Sequence, residues 1–310
     1  MHKRLIQAIA TALTFSLLLF PAGAANTNHN GEIMIRVGLA SSSSHVAQGE
    51  MEAANLENNN SAGYGEGFRF GYYDDDLNFV ELGRTDEDII AVSVLKAQNL
   101  YYSASQNTYS ASDGGDVVVG CFHLLIDDGI RDYEEASSLA ATYRDGFVAW
   151  IDGEYQVRVG AYTSREEALS AMDGIPDARE VVGTSSYGMS VVETGTDEIL
   201  FQYDCGSSGA LGIQPDVTGQ RETRTWFNGL KYRGGFQYQR RSGNNLTVVN
   251  VVSLEDYVNG VICYEMGRSW PLEALKAQAL CARTYVLQNL GKHESYGFDI
   301  CNSANCQVYS

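Results

Sequence analysis

The sequence predicts an α+β fold, and three observations carry that reading. Residues 117–192 hold a duplicated strand–helix–strand pattern, glycine-punctuated strands lie on both sides of it, and two consecutive helices occupy 253–290. The chain of 310 residues is long enough for two domains of ordinary size, and its 44% hydrophobic residues suffice for proper cores. Its 39 acidic residues outnumber 21 basic ones, for a net charge of −18. A phosphate backbone would repel such a chain, which excludes nucleic acid and leaves neutral or polar substrates such as glycans.

Residues 1–25 read as a secretory signal peptide. His2, Lys3 and Arg4 are basic, 5–20 are largely apolar and uncharged, and small residues surround Ala24. The apolar stretch is shorter than the roughly 20 residues of a spanning helix, so cleavage and export are expected, with membrane attachment only if the peptide is uncleaved. Residues 33–40 read as a strand, 41–63 as a loose loop, and 68–73 as a strand closed by a turn at Asp74, Asp75 and Asp76. The stretch 86–116 alternates too weakly to read.

From Val117 the pattern sharpens. Residues 117–126 form a strand-like apolar run, and 132–144 place Ala136, Leu139, Ala140 and Tyr143 at helical spacing. Two short strands, 147–151 and 155–159, flank Asp152-Gly153, a hairpin dipeptide. Ser164 opens a second helix with Glu167 as its capping-box partner, and a strand through Val181 and Val182 follows, with 189–192 as its extension. Two such halves pack into one four-stranded antiparallel sheet with both helices on one face, leaving the other face free for a ligand. The run 155–162 followed by Ser164 to Ala168 resembles a sporulation-related repeat (SPOR) domain. That resemblance implies binding to peptidoglycan glycan strands without stem peptides, with Tyr155, Arg158 and Tyr162 as contact residues.

Strands at 199–203, 225–227, 230–232, 236–240 and 246–252 lead to the two helices. Ser253 caps the first, which buries Leu254, Val258, Val261 and Ile262 and ends near Met266, with Gly267 suited to the position after the cap. Glu265 falls in its last turn, where the helix dipole disfavours a carboxylate, as a general acid requires, while Arg268 acts in the opposite sense. The second helix starts around Trp270-Pro271 and runs to about Leu290, with Leu275, Ala279, Ala282, Val286 and Leu290 on one stripe. The connection folds the pair back on itself, so that Gln278, Arg283 and Tyr285 are candidates to face Glu265.

Several motifs here, in this order, resemble the stage II sporulation protein D family. They are Ser253 to Tyr257, Tyr264-Glu265-Met266, Trp270 to Ala279, Ala282 to Tyr285, then Tyr296 to Cys301 with Cys306 to Tyr309. The resemblance is dense from about 246 to 309. It implies an exported lytic transglycosylase, associated with the cell wall, that cuts between N-acetylmuramic acid and N-acetylglucosamine. Glu265 would be its single acid and base, and Gln278, Arg283 and Tyr285 would bind substrate. Other wall hydrolases are candidate partners. The expected layout is a SPOR-like ferredoxin-type domain at 117–192, inserted in or preceding a mixed α/β domain of this family. That domain would contribute strands at 31–115 and resume at 195–310. Because Ser310 directly follows a motif that sits mid-domain in the family, the domain is expected to be C-terminally incomplete. The rival reading is a non-enzymatic wall-binding protein or amidase enhancer.

Of the six cysteines, Cys121, Cys205, Cys263 and Cys281 sit in apolar runs and read as buried thiols. His293, Cys301 and Cys306 offer three donors of the kind zinc accepts, and the family resemblance implies such a zinc site. Export equally allows a disulfide between Cys301 and Cys306. In place of the histidine often found before the second cysteine of the motif, this chain has Asn305.

Overall fold

The computed structural model describes residues 26–58, 65–112, 114–219, 222–267 and 269–310. The signal-peptide segment 1–25 and Arg268 lie outside the described residues. In chain order, β1 (Met34–Ala40), β2 (Ala53–Asn58), β3 (Gly65–Tyr73), β4 (Phe79–Arg84) and β5 (Ala91–Lys96) come first. A small meander follows, made of β6 (Leu100–Ser103), β7 (Thr108–Ser110) and β8 (Val117–Val119). Next is a βαββαβ unit: β9 (Phe122–Ile130), α1 (Tyr133–Ala140), β10 (Gly146–Ile151), β11 (Glu154–Tyr162), α2 (Arg165–Ala171) and β12 (Glu180–Val182). Then come β13 (Met189–Glu193), β14 (Ile199–Asp204), β15 (Leu211–Val217), β16 (Thr225–Phe227), β17 (Leu230–Tyr232) and β18 (Gly235–Gln239). The order finishes with β19 (Thr247–Ser253), α3 (Leu254–Glu265), α4 (Leu272–Gln288) and β20 (Ile300–Cys301). The chain is thus mixed α+β, with far more strand than helix.

Local sequence explains the βαββαβ unit well. Asp132 caps α1 by accepting from the Glu135 N–H, and Ser164 caps α2 by accepting from the Glu167 N–H at 3.1 Å. The Glu167 carboxylate reaches back to the Thr163 N–H at 2.9 Å and its hydroxyl at 2.8 Å, one residue earlier than a capping box would have it. Asp152 and Gly153 take φ values of 51° and 95°, both in the region a two-residue hairpin turn between β10 and β11 requires. The four strands lie in the order β12-β9-β11-β10 with every neighbour antiparallel, which interleaves the two halves. Ala136, Ala140 and Ala168 on the helices are buried against them.

Five features differ from the sequence expectation. The run 117–126 breaks at Gly120, sending β8 to the meander and β9 to the unit. Residues 189–192 do not extend β12; they form β13, which sits between β14 and β5. The supposed loop 41–63 contains β2, paired with β5 and β16. The sheet face opposite the helices is not free. Phe147 and Ala149 of β10 pack there against Leu100, Tyr109 and Val119 of the meander in a separate apolar cluster. The unit is also not a separate body, because β10 pairs in parallel with β14 and the sheet continues to ten strands.

A seven-stranded sheet, in the order β20-β1-β19-β18-β15-β3-β4, joins segments from both sides of the unit. β19 is buried along residues 247–252, as a continuous apolar run should be when both faces are covered. The two large sheets pack together through Phe70 of β3 and Phe201 of β14, whose rings stack at 5.3 Å. Both rings are fully buried, and each such side chain contributes about 1.5–3 kcal/mol.

Candidate functional site

The site is built where β19 runs into α3. The Ser253 hydroxyl accepts from the Asp256 N–H at 3.2 Å, and Leu254, Tyr257, Val258 and Val261 bury one face of α3. The helix stops at Glu265 because Met266 turns extended (φ −139°, ψ 140°); Gly267 is not left-handed. Glu265 is exposed, and its Oε1 accepts from the Val308 N–H at 3.2 Å. The segment carrying Val308 is itself clamped. Tyr257 donates to Gln307 Oε1 at 3.0 Å, and Tyr309 stacks on Tyr257 while donating to Asn250 of β19 at 2.6 Å. The Glu265 carboxylate is thereby oriented by backbone that two buried tyrosines hold in place.

The three residues expected to face Glu265 on α4 do not converge on it. Arg283 grips both carboxylate oxygens of Glu255, tying α4 to the first turn of α3. Tyr285 donates to Asn305 O at 3.4 Å and accepts from Lys292 Nζ at 3.3 Å, which places it with the cysteines. Gln278 is half-buried within α4, and its side chain has no hydrogen-bond partner among the described residues. Cys263 and Cys281 are exposed on these helices rather than buried, because they fall on the outward faces beside Tyr264 and Leu280, while Cys121 and Cys205 are half-buried.

His293, Cys301 and Cys306 do come together, with their ligand atoms all within 4.8 Å of one another. The path from α4 to β20 brings His293 under Phe298, at 5.4 Å between rings. Phe298 fits only because position 38 of β1 lacks a Cβ, which would lie 2.5 Å from the Phe298 ring. Asp299, on the same path, accepts from the Arg36 backbone at 2.9 Å and pairs with its guanidinium at 3.0 Å. Cys301 and Cys306 are both free thiols, and His293 Nε2 lies 3.3 Å from Cys306 Sγ. The hydrogen bond from Cys301 lowers the Cys306 thiol, helped by His293 and the Lys292 ammonium, whereas the same contact and burial push Cys301 up. One imidazole nitrogen and two sulfurs, one of them readily a thiolate, are a donor set that fits zinc. Sequence reasoning missed two neighbours of this cluster. Lys292 donates to Cys306 Sγ at 3.4 Å, and the exposed His45, from the β1–β2 connection, lies 5.5 Å from the His293 ring. Lys292 adjoins His293 in sequence and was open to suspicion; nothing in the sequence links His45 to it.

The expected glycan contacts of the βαββαβ unit need correction. Tyr155 is buried on the helix-bearing side and donates to Leu82 O at 2.9 Å across the two sheets. Arg158 is only 2% exposed, and burial brings its guanidinium down to about 10. It donates to Gln156, Gly183 O and Gln202, whose amide in turn reaches His123 and Ser190. Both side chains are committed to the interior and out of reach of a glycan. Tyr162 is partly exposed.

No described helix is long and apolar enough to cross a membrane. The stage II sporulation protein (SpoIID) family matches residues 242–310, the span from the end of β18 through both helices to the cysteine cluster. An uncharacterized protein of Brachyspira hyodysenteriae is 41% identical over 92 residues, which are 29% of this chain and 25% of that protein. The chain therefore spans about a quarter of the curated relative it matches. No solved structure matches it. Residues 242–310 of this chain, which carry α3, α4 and the cysteine cluster, are thus similar to the stage II sporulation protein (SpoIID) family.

Proposed function

We propose that this protein acts on the bacterial cell wall in sporulation as a lytic transglycosylase, cleaving peptidoglycan glycan strands that lack stem peptides. The observation that carries this reading is Glu265, an exposed carboxyl group inside the family-matched segment, held at a helix end by a backbone N–H that buried tyrosines fix. The chemistry explains how one carboxyl group suffices. Glycoside hydrolysis ordinarily uses two, the second serving as nucleophile or activating water. In the lytic reaction the 6-hydroxyl of the muramic acid residue attacks its own anomeric carbon. Protonated Glu265 gives its proton to the glycosidic oxygen as that bond breaks, and the resulting carboxylate takes the proton of the 6-hydroxyl as the new C–O bond closes. The products are a free N-acetylglucosamine hydroxyl and a 1,6-anhydromuramic end, with Glu265 again protonated.

His293, Cys301 and Cys306 would hold a zinc ion in this reading. The ion would supply a cross-link between the α4–β20 path and the 301–306 turn, which leads directly into Val308. The protein's setting is exported and wall-associated.

The test is mass spectrometry of products from purified, amidase-stripped glycan. Anhydromuramic ends are expected from the parental protein and none from Glu265→Gln, since losing general acid–base assistance costs about 100- to 10,000-fold. A Glu265→Gln protein that forms anhydro ends at the parental rate would show that another group supplies the proton.

A further inference from the structure

Two clefts adjoin the β16–β17 hairpin, which precedes the family-matched segment, and they share Trp226 and Gly229. One, of about 530 Å³, runs along β2 and the β6–β7 turn. Its polar walls are mostly uncharged, with Asn55, Gln106, Asn107 and Thr108 among them. The other, of about 720 Å³, sets Arg224, Lys231 and Arg233 against Glu222 and Asp256 in a chain whose net charge is −18. Its cations are not equivalent. Arg233 is paired with Asp256 at 2.6 Å and Glu222 at 2.7 Å, and Arg224 faces Glu222 at 3.5 Å. Lys231 has no carboxylate partner among the described residues; its ammonium sits 4.4 Å from the centre of the Trp226 ring. The second cleft reaches α3 at Asn259, Cys263 and Tyr264, next to Glu265.

We propose that these clefts are consecutive saccharide subsites of one glycan track, with Trp226 as the stacking platform between them and Lys231 as the group that receives a sugar carboxylate. This rests on the glycan reading above and extends it to Trp226 and Lys231, which precede the family-matched segment. The two halves of the track match the two sugars of the strand. An aromatic ring with a few placed amides is how a concave site holds a neutral polar ligand, and N-acetylglucosamine is neutral. Removal of the stem peptide leaves the lactyl group of N-acetylmuramic acid as a free carboxylate, and an unpaired ammonium beside a half-buried tryptophan suits that group. An intact stem peptide would turn the carboxylate into an amide and cancel this attraction. The track thus supplies a physical reason to prefer stripped strands that does not involve the reacting bond.

The experiment uses the full chain carrying Glu265→Gln, so that ligand is not consumed, and isothermal titration with two probes. One is an amidase-stripped tetrasaccharide of alternating N-acetylglucosamine and N-acetylmuramic acid; the other is chitotetraose, which has no carboxylate. Trp226→Ala should weaken both by about tenfold or more, as removal of an aromatic anchor does. Lys231→Gln, an exposed change that leaves the fold alone, should weaken only the stripped tetrasaccharide. The preference for that probe should also fade in high salt. If the parental chain binds stripped glycan and both variants bind it equally well, the track is wrong while the glycan reading stands. If the parental chain binds neither probe and forms no anhydro ends, both fall together.

Discussion

Gly38→Ala is the smallest change that should disturb the cysteine cluster, and its size follows from geometry. The added methyl would lie 2.5 Å from Cε2 and 2.6 Å from Cζ of Phe298, well inside contact distance. Phe298 has nowhere to retreat: it is fully buried against Val249 and Cys301, with the rings of His293 and Tyr296 at 5.4 and 6.2 Å. Forcing an extra methyl group into a packed core costs about 1–3 kcal/mol. Alanine also stiffens the unfolded chain, which offsets about 0.4–1 kcal/mol. The net loss is about 1–2 kcal/mol, or roughly 2–3 °C in the unfolding midpoint for a chain of this size. Calorimetry of Gly38→Ala, of Phe298→Leu and of the double variant provides the assay. Because leucine is smaller, the double variant should be more stable than the sum of the single effects, by about 0.5–3 kcal/mol. A Gly38→Ala protein as stable as the parent, or strictly additive effects, would refute the argument that Phe298 dictates glycine at this position.

Three further outcomes are expected. His123 is fully buried, with Nδ1 donating to Gly160 O at 2.6 Å and Nε2 accepting from the Gln202 amide at 2.9 Å; burial lowers it to about 4. Its ordinary value near 6.5 applies when unfolded, so its contribution is intact above about pH 6.5 and is lost as pH falls towards 4, amounting to about 3 kcal/mol. Denaturant titrations from pH 7 to 4 should show a shallower loss in His123→Gln, and an unchanged slope would sink the assignment. In protein loaded with zinc, Cys301 and Cys306 should resist alkylation, as mapped by peptide mass, and become reactive with chelator; equal labelling in both states would count against a metal site. The buried Phe70→Ala should cost about 3–5 kcal/mol, because the cavity opens between two sheets that stack there, and a loss under 1 kcal/mol would contradict the packing described.

What the sequence revealed divides along a physical line. Elements specified by their own residues were legible: α1 by the spacing of its apolar residues, α2 by its Ser164 cap, the β10–β11 turn by Asp152-Gly153, α3 by Ser253, β19 by its apolar run. Strands whose existence depends on partners were not. β2 (AANLEN) is a poor strand by composition and exists because β5 and β16 flank it. The same dependence misplaced Tyr155 and Arg158. Their alternation along β11 was readable, but β4, whose Leu82 O receives the Tyr155 hydroxyl, and strands β6 and β7, which help close the far face, take their places only through the fold. At the site, the triad His293, Cys301 and Cys306 was visible because it is compact in sequence, whereas His45 and Trp226 reach their neighbourhoods only through the fold.

The position of β1 between β19 and β20 sets a timetable for biosynthesis. Val37 finds Asn250 on one side and Ile300 on the other, more than 200 residues downstream. At about 5–20 residues per second, a ribosome takes roughly 10–40 s to deliver the first of these partners after β1 has emerged. Through that interval β1, with its run of buried aliphatic residues, has unpaired edges and no place to put its side chains. The βαββαβ unit, whose strands all pair within about sixty residues, can by contrast begin to assemble early. A chain arrested before β19 should therefore hold an ordered middle and an orphaned first strand, and depend on a holding chaperone for the whole of that wait.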